Sequence, residues 1–269
     1  MDGVAYLVNS TPSCYYMLPL HFGLVRRYAP FMKNLFLATE VPDHPVCVAV
    51  AKEYGVELIP LKGVDAGFLE SRRSALLTLV NRFKYILPAQ EDFLLERPAD
   101  QAAMEEALKI MKDTNGDIVS ARLMPCPGPK GEVFEANPHW AFLSEKTDAY
   151  GFTFQATLWN TNACYTWYEA LCVKLEKEYP FAKTAPDQRR HVEIRANFAE
   201  NVEGQRFFWK IFASNDYDGL HIAWRRAGPW PNAVYLSPWP YRPTAIVQGR
   251  LEPWAVELGK REGIIMAQA

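Results

Sequence analysis

The chain has 269 residues, of which 49% are hydrophobic and 22% charged, and a formal net charge of −2. That length buries a sizeable core without disulfides or a structural metal, and the balanced charge offers no basic stripe for nucleic acid. Five cysteines (Cys14, Cys47, Cys126, Cys164, Cys172), odd in number and without a CxxC pair, disfavour a zinc site or a disulfide framework and read as reduced thiols of a cytoplasmic protein.

No charged leader precedes an apolar run, and no apolar stretch nears the roughly 20 residues of a membrane helix, so a soluble protein is expected. Val4–Asn9 (VAYLVN) reads as a first strand, ending at the turn-forming Ser10-Thr11-Pro12. A helix is predicted over Tyr15–Arg27, with Pro19 in its first turn or at a kink. Strand Asn34–Thr39, helix His44–Tyr54 closed by Gly55, and strand Val56–Pro60 follow. After the loop Lys62–Gly67 come helix Phe68–Phe83, strand Lys84–Ala89, helix Ala99–Thr114 and strand Asp117–Ala121. Strands and helices alternating at this spacing predict an α/β fold, a mainly parallel central sheet with helices on both faces.

From Pro125 the texture changes. Pro125-Cys126-Pro127-Gly128-Pro129 is a rigid excursion, followed by an expected strand Tyr150–Leu158 and helices Asn162–Glu178 and Arg190–Val202. Five prolines exclude a regular element over Pro229–Pro243. Ala245–Gln248 reads as a last strand and Glu252–Arg261 as a C-terminal helix. Residues 125–269 are therefore expected to form an irregular C-terminal half built onto the first sheet, within a single domain 1–269. The 8 Trp, 13 Tyr and 15 Phe crowd this half, where flat rings suit either a core or the face of a sugar.

The segment with the most chemical content is YILPAQEDFLL, Tyr85 to Leu95. An apolar strand delivers the adjacent carboxylates Glu91 and Asp92, and an apolar run resumes at Phe93. In open α/β sheets, ligands bind beyond the carboxyl ends of the strands, where this pair is expected. Charges between hydrophobic runs cost desolvation unless a cation or hydrogen bonds compensate. Mg²⁺ or Mn²⁺ bridging phosphate oxygens would suit them, whereas a capping or solvent-facing role is the plain alternative.

This segment resembles the metal-binding strand of nucleotide-sugar glycosyltransferases of the GT-A fold, and in particular a group of bacterial and viral sugar transferases. The likeness continues in Glu70-Ser71-Arg72-Arg73, in Phe154-Gln155-Ala156-Thr157-Leu158-Trp159-Asn160, at His191-Val192-Glu193, and in Ile246-Val247-Gln248-Gly249-Arg250 followed by Glu262-Gly263-Ile264. Two departures stand out. The Asp-x-Asp of metal-dependent members is here Gln90-Glu91-Asp92, and Arg190-His191-Val192 replaces the aromatic residues expected before the glutamate.

The resemblance implies a nucleotide-sugar-binding half over 1–124 and an acceptor-binding half over 125–269. It implies Asp92 as the ligand of Mn²⁺ or Mg²⁺ and leaves Glu91 to hold the sugar or a basic side chain. Glu193 is the candidate base that takes the acceptor proton, and ion pairing with Arg189 or Arg190 is the competing role. Ser10, Thr11, Glu40, Gln90 and Glu91, with the forked donors of Arg72 and Arg73, are candidates for the donor, although Ser10 and Thr11 equally suit an ordinary turn. Trp140 and Trp159 are candidates for an acceptor groove. Arg225 and Arg226 are candidates for the diphosphate, in a stretch Trp224–Tyr241 long enough to act as a lid.

The implied reaction moves a sugar from a nucleotide diphosphate to a glycan or lipid-linked acceptor with inversion. The absence of GxxxxGK[ST], GxGxxG and GxSxG excludes a P-loop, a dinucleotide fingerprint and a hydrolase elbow. Two alternatives stay open. A sugar nucleotidyltransferase would use a similar sheet, although Ser10-Thr11-Pro12-Ser13 is not its glycine-rich first loop. A catalytically silent carbohydrate-binding or scaffold protein would keep the fold without metal-dependent nucleotide binding.

Overall fold

The computed structural model describes residues 1–266 except 62–66, 115, 126–127, 135–136, 149, 184, 196, 213–219 and 226–235. The first four strands are β1 (Val4–Ser10), β2 (Asn34–Thr39), β3 (Val56–Pro60) and β4 (Tyr85–Gln90). Between them lie α1 (Leu18–Tyr28), α2 (Pro45–Tyr54) and α3 (Phe68–Leu79). Pro19 falls in the first turn of α1, where no amide hydrogen is needed, and a 3₁₀ turn over Pro12–Met17 precedes it. Gly55 closes α2 in the left-handed conformation, at φ 61°.

Beyond β4 come β5 (Leu94–Leu95), α4 (Gln101–Asp113), β6 (Ile118–Arg122), β7 (Trp140–Leu143) and β8 (Thr157–Asn160). They are followed by α5 (Thr161–Glu178), α6 (Pro186–Arg190), a π-helical turn over His191–Arg195, α7 (Val202–Phe212) and β9 (Leu220–Trp224). The chain ends with β10 (Tyr241–Arg242), β11 (Ile246–Val247), β12 (Arg250–Leu251) and α8 (Pro253–Glu262).

Eight strands form one sheet in the order β3-β2-β1-β4-β8-β6-β9-β7. Pairing is parallel from β3 through β4 and between β6 and β9, whereas β8 and β7 run antiparallel to their neighbours. The α/β class and the mainly parallel sheet expected from the sequence are both observed. Strand β1 shows why the sheet is covered twice. Tyr6 and Val8 pack with α1, α2, α4 and α8 on one face, while Ala5 and Leu7 pack with α3, α5 and α7 on the other. The chain steps outward through β1, β2 and β3, then returns past β1 to β4. The helix of that return step, α3, lies on the opposite face from α1 and α2, as crossovers of one hand require.

The second half departs from expectation in several places. Strand β10 lies inside Pro229–Pro243, where no regular element is expected, because Tyr241 and Arg242 fall between prolines and pair with β5, and β7, α7 and β9 have no counterpart among the expected elements. The strand expected over Tyr150–Leu158 is confined to Thr157–Asn160, which slots antiparallel between β4 and β6. The helix expected over Arg190–Val202 is a π-helical turn and a tight turn between α6 and α7. The strand expected over Ala245–Gln248 is one arm of a hairpin, β11–β12, whose tip residues Gln248 and Gly249 both have positive φ.

Candidate functional site

Strand β1 pairs with β2 on one side and β4 on the other, while the chain passes from β1 to β2 and from β3 to β4. The gap between the carboxyl ends of β1 and β4 is therefore the topological switch point, where open α/β sheets bind ligands. Ser10 ends β1 and Gln90 ends β4, so the turn Glu91–Asp92 opens onto that gap. The turn is closed by the Phe93 amide donating to the Gln90 carbonyl at 3.1 Å.

Two elements hold this turn. His21 of α1 bonds through Nδ1 to the Glu91 carbonyl at 3.0 Å, and its Nε2 bonds the Tyr6 hydroxyl of β1 at 2.8 Å. From the C-terminal segment, the Ala245 amide donates to the Asp92 carbonyl at 2.9 Å, and the Ile246 amide donates to the Asp92 carboxylate. The same segment is fastened by β10 pairing with β5, by Phe93 stacked on Tyr241 at 5.1 Å, and by the Tyr241 hydroxyl donating to Gln155 Oε1.

Both carboxylates are half-buried and short of positive charge. Burial pushes Glu91 up to about 7; its own amide, Arg72 and the Cys14 thiol pull down, and neighbouring Asp92 pushes further up. Asp92 is also raised, chiefly by burial, against hydrogen bonds from its own and the Ile246 amides and the attraction of Arg72. Arg72 is the nearby cation. It is 6% exposed, its guanidinium carbon lies 3.5 Å from the Phe68 ring centroid, and Nη1 donates to the Phe68 carbonyl at 3.2 Å. Burial lowers its pKa, and Tyr168, Glu91, Glu193 and Asp92 act in the opposite sense. One buried guanidinium thus faces two half-buried carboxylates, an arrangement that would be relieved by a further cation.

On the α3 face, Arg72, Gln90, Phe154, Gln155, Trp159 and Tyr168 line a narrow cleft. Asn9, the register partner of Gln90, and Ser10 are buried, and their Nδ2 and Oγ atoms have no hydrogen-bond partner among the described residues. Buried polar atoms of this kind mark a place where a ligand or water completes the bonding. The structure therefore brings Ser10, Arg72, Gln90, Glu91 and Asp92 to one end of the sheet, while Trp159 lies lower in the cleft, opposite Ile86 of β4.

The remaining candidates are placed otherwise. Thr11 is exposed, bonded to Ser13, and heads the turn that carries Cys14. Glu40, half-buried beyond β2, lies within electrostatic reach of Tyr15. Arg73 points into ion pairs with Glu70 at 2.6 Å and Glu169 at 3.3 Å rather than lining the cleft. Trp140, expected at an acceptor groove, is instead wholly buried core at the far edge strand β7, donating to Glu106 at 3.1 Å. Arg225 is tied to the Pro138 and His139 carbonyls at 2.8 and 2.7 Å, three strand positions from β4. Arg226 and most of the expected lid lie outside the described residues.

Glu193 is buried with both oxygens engaged. Oε2 accepts the Phe68 amide at 2.7 Å, capping α3, and Oε1 accepts Arg189 Nε at 2.8 Å. Its approach depends on Gly67, at φ 83°, where a Cβ would lie 2.6 Å from the Glu193 carboxylate. Burial raises the Glu193 pKa, while Arg189 and the α3 amides oppose the rise.

Sequence reasoning missed His21, Tyr6, Cys14 and the Ile246 amide. A histidine on an otherwise apolar helix face is the one signal that would have exposed His21. The backbone bond from Ile246 depends on pairing across 154 positions of chain and has no sequence signal.

Among the described residues no group of three or more His, Cys, Asp and Glu is placed to hold a metal. Were Mg²⁺ or Mn²⁺ to bind, Asp92 would be the carboxylate to hold it, since these ions are held by one or two carboxylates plus phosphate oxygens and water. Among those residues, no helix is long and apolar enough to cross a membrane.

No family model matches the chain, and no curated protein matches its sequence. Solved structures match loosely. The 4-diphosphocytidyl-2C-methyl-D-erythritol synthase of Anaerococcus prevotii is 10% identical, with 63% of this chain and 76% of that one covered at a TM-score of 0.40. S. aureus TarS is 11% identical, over 61% of this chain and 29% of that one, at 0.41. An active-site mutant of LgtC is 15% identical, over 64% of each chain, at 0.41. The chain thus spans less than two thirds of TarS and of LgtC, and likenesses this loose carry no argument about activity.

Proposed function

We propose that the chain transfers a sugar from a nucleotide diphosphate donor to a hydroxyl of a glycan or lipid-linked acceptor, in a GT-A-like site at the switch between β1 and β4. The observation that carries this reading is the half-buried pair Glu91–Asp92 facing one buried Arg72 beside the unpartnered Asn9 and Ser10. Asp92 would hold Mn²⁺ or Mg²⁺, and the cation would neutralise the diphosphate as it leaves. Arg72, fixed on Phe68, would share that charge, and Gln90, Asn9 and Ser10 would bond the donor. Arg226 stands as a candidate for a further diphosphate contact on the sequence alone, whereas Arg225 is tied to Pro138 and His139 away from β4.

The acceptor proton needs a base whose carboxylate is not tied into an ion pair and whose pKa lies near the working pH. Glu91, at about 7, suits that task better than Glu193, whose oxygens cap α3 and pair with Arg189. Glu193 would then act by holding α3, and with it Arg72, in place. Attack from the face opposite the diphosphate would invert the anomeric centre. Trp159 lines the cleft but is 3% exposed and packed against Phe152, Phe208 and Phe212, so it would shape the wall of an acceptor site rather than stack on a sugar.

A thermal-shift panel of UDP, GDP, dTDP and CMP, each with and without Mn²⁺, tests the reading. One nucleotide is expected to raise the melting temperature only with Mn²⁺, and Asp92→Asn should erase the Mn²⁺-dependent part. Stabilisation by none of the four would remove the transferase reading and leave a binding or scaffold protein.

A further inference from the structure

We propose that His21 is a positioning residue that locks the Glu91–Asp92 turn through the Glu91 carbonyl, holding the acidic pair at the carboxyl end of β4; this rests on the role proposed for that pair. A carbonyl only accepts, so Nδ1 must carry the hydrogen of the 3.0 Å bond to Glu91. In the neutral tautomer selected by that bond, Nε2 accepts and the Tyr6 hydroxyl donates across 2.8 Å. The direction of every bond in the relay is therefore fixed. The rings are fixed too: Tyr6 stacks on His21 at 5.8 Å and packs against Trp239 at 5.6 Å. Trp239 precedes the stretch whose Ala245 and Ile246 amides bind Asp92. The turn is thus clamped on its Glu91 side by β1 and α1, and on its Asp92 side by the C-terminal segment.

A purely structural role explains this relay poorly. His21 and Tyr6 are each 1% exposed, and replacing a buried hydrogen-bonded pair by apolar groups of similar shape is often neutral for stability. What an apolar pair cannot do is hold the Glu91 carbonyl. The double variant Tyr6→Phe/His21→Leu therefore separates the two roles, and His21→Asn, whose amide can donate from near the Nδ1 position, supplies the rescue.

Amide hydrogen exchange of the metal-free protein is the direct test, read at Phe93 and Ala245, whose amides bond across the turn. In the double variant, at a melting temperature near wild type, both amides should exchange at least tenfold faster, with β1 and α1 amides unchanged. His21→Asn should restore them. Mn²⁺ affinity, followed by the electron paramagnetic resonance of the free ion, should fall about tenfold in the double variant and recover in His21→Asn. Wild-type protection of Phe93 and Ala245 in the double variant would overturn the proposal, as would a His21→Asn variant no better than the leucine. If wild-type protein takes up no Mn²⁺, the metal part of the transferase reading fails, while the exchange rates still decide whether His21 positions the turn.

Discussion

Glu91 concentrates the cost of the site in one side chain. Its pKa is about 7 in the fold against the ordinary carboxylate value of 4.5. Between those values the folded chain binds more protons than the unfolded one, so this group makes stability fall as pH rises from about 4.5 to about 7. His21 acts in the opposite sense over an overlapping window, because burial lowers it from 6.5 to about 4 and its contribution makes stability rise with pH. The two oppose one another in the wild-type curve, so the informative quantity is a difference. Glu91→Gln should gain stability relative to wild type as pH rises from 4.5 to 7, by about 2–3 kcal/mol, while losing transfer. Urea titrations of both proteins at pH 4.5, 6 and 8 measure it. A flat difference across that range would mean that Glu91 is already ionised and compensated.

The segment from Ser237 to Leu251 is the element on which the site most depends, although it contributes only β10 and one hairpin. It is fastened through Tyr241, which bonds Gln155, stacks on Phe93 and accepts the Ala156 amide at 3.4 Å. Tyr241→Phe keeps the stack and removes the hydroxyl, leaving Gln155 Oε1 without that bond. The expected loss is about 1–2 kcal/mol, with faster proteolysis confined to residues 236–252; cleavage spread over the whole chain would indicate global unfolding instead. This element also shows where sequence reading stops. Strands β1 to β4 are legible because each is an apolar run between turn residues, and the helices between them repeat their apolar positions every three to four residues. Strands β10 to β12 are two residues each, too short for any period, and their pairings join positions about 150 residues apart or turn on the positive φ of Gln248 and Gly249. The acidic pair was legible as charge between apolar runs, whereas its backbone clamps were not.

Across the whole molecule, the sheet separates residues that share a chemistry but not a place. Trp159 and Trp140 are equivalent as letters, yet β8 lies beside β4 and β7 forms the far edge. Both side chains are buried, at 3% and 0% exposure, but only Trp159 lines the cleft, where it contacts the Phe152 and Phe208 rings. Trp140 packs edge-on against Trp224 at 5.1 Å and donates to Glu106 of α4, which ties the distal end of the sheet to that helix. Trp140→Phe removes that hydrogen bond and leaves a void, and should cost about 1–3 kcal/mol. Because the proposed site lies at the β1–β4 switch, this loss should leave the Mn²⁺-dependent nucleotide shift at its wild-type size. Trp159→Phe also leaves a void in the core and should cost a comparable amount, but it should in addition reduce acceptor turnover. An equal fall of the nucleotide shift in both variants would mean that the far edge of the sheet takes part in donor binding, and would return Trp140 to the site from which its burial removes it.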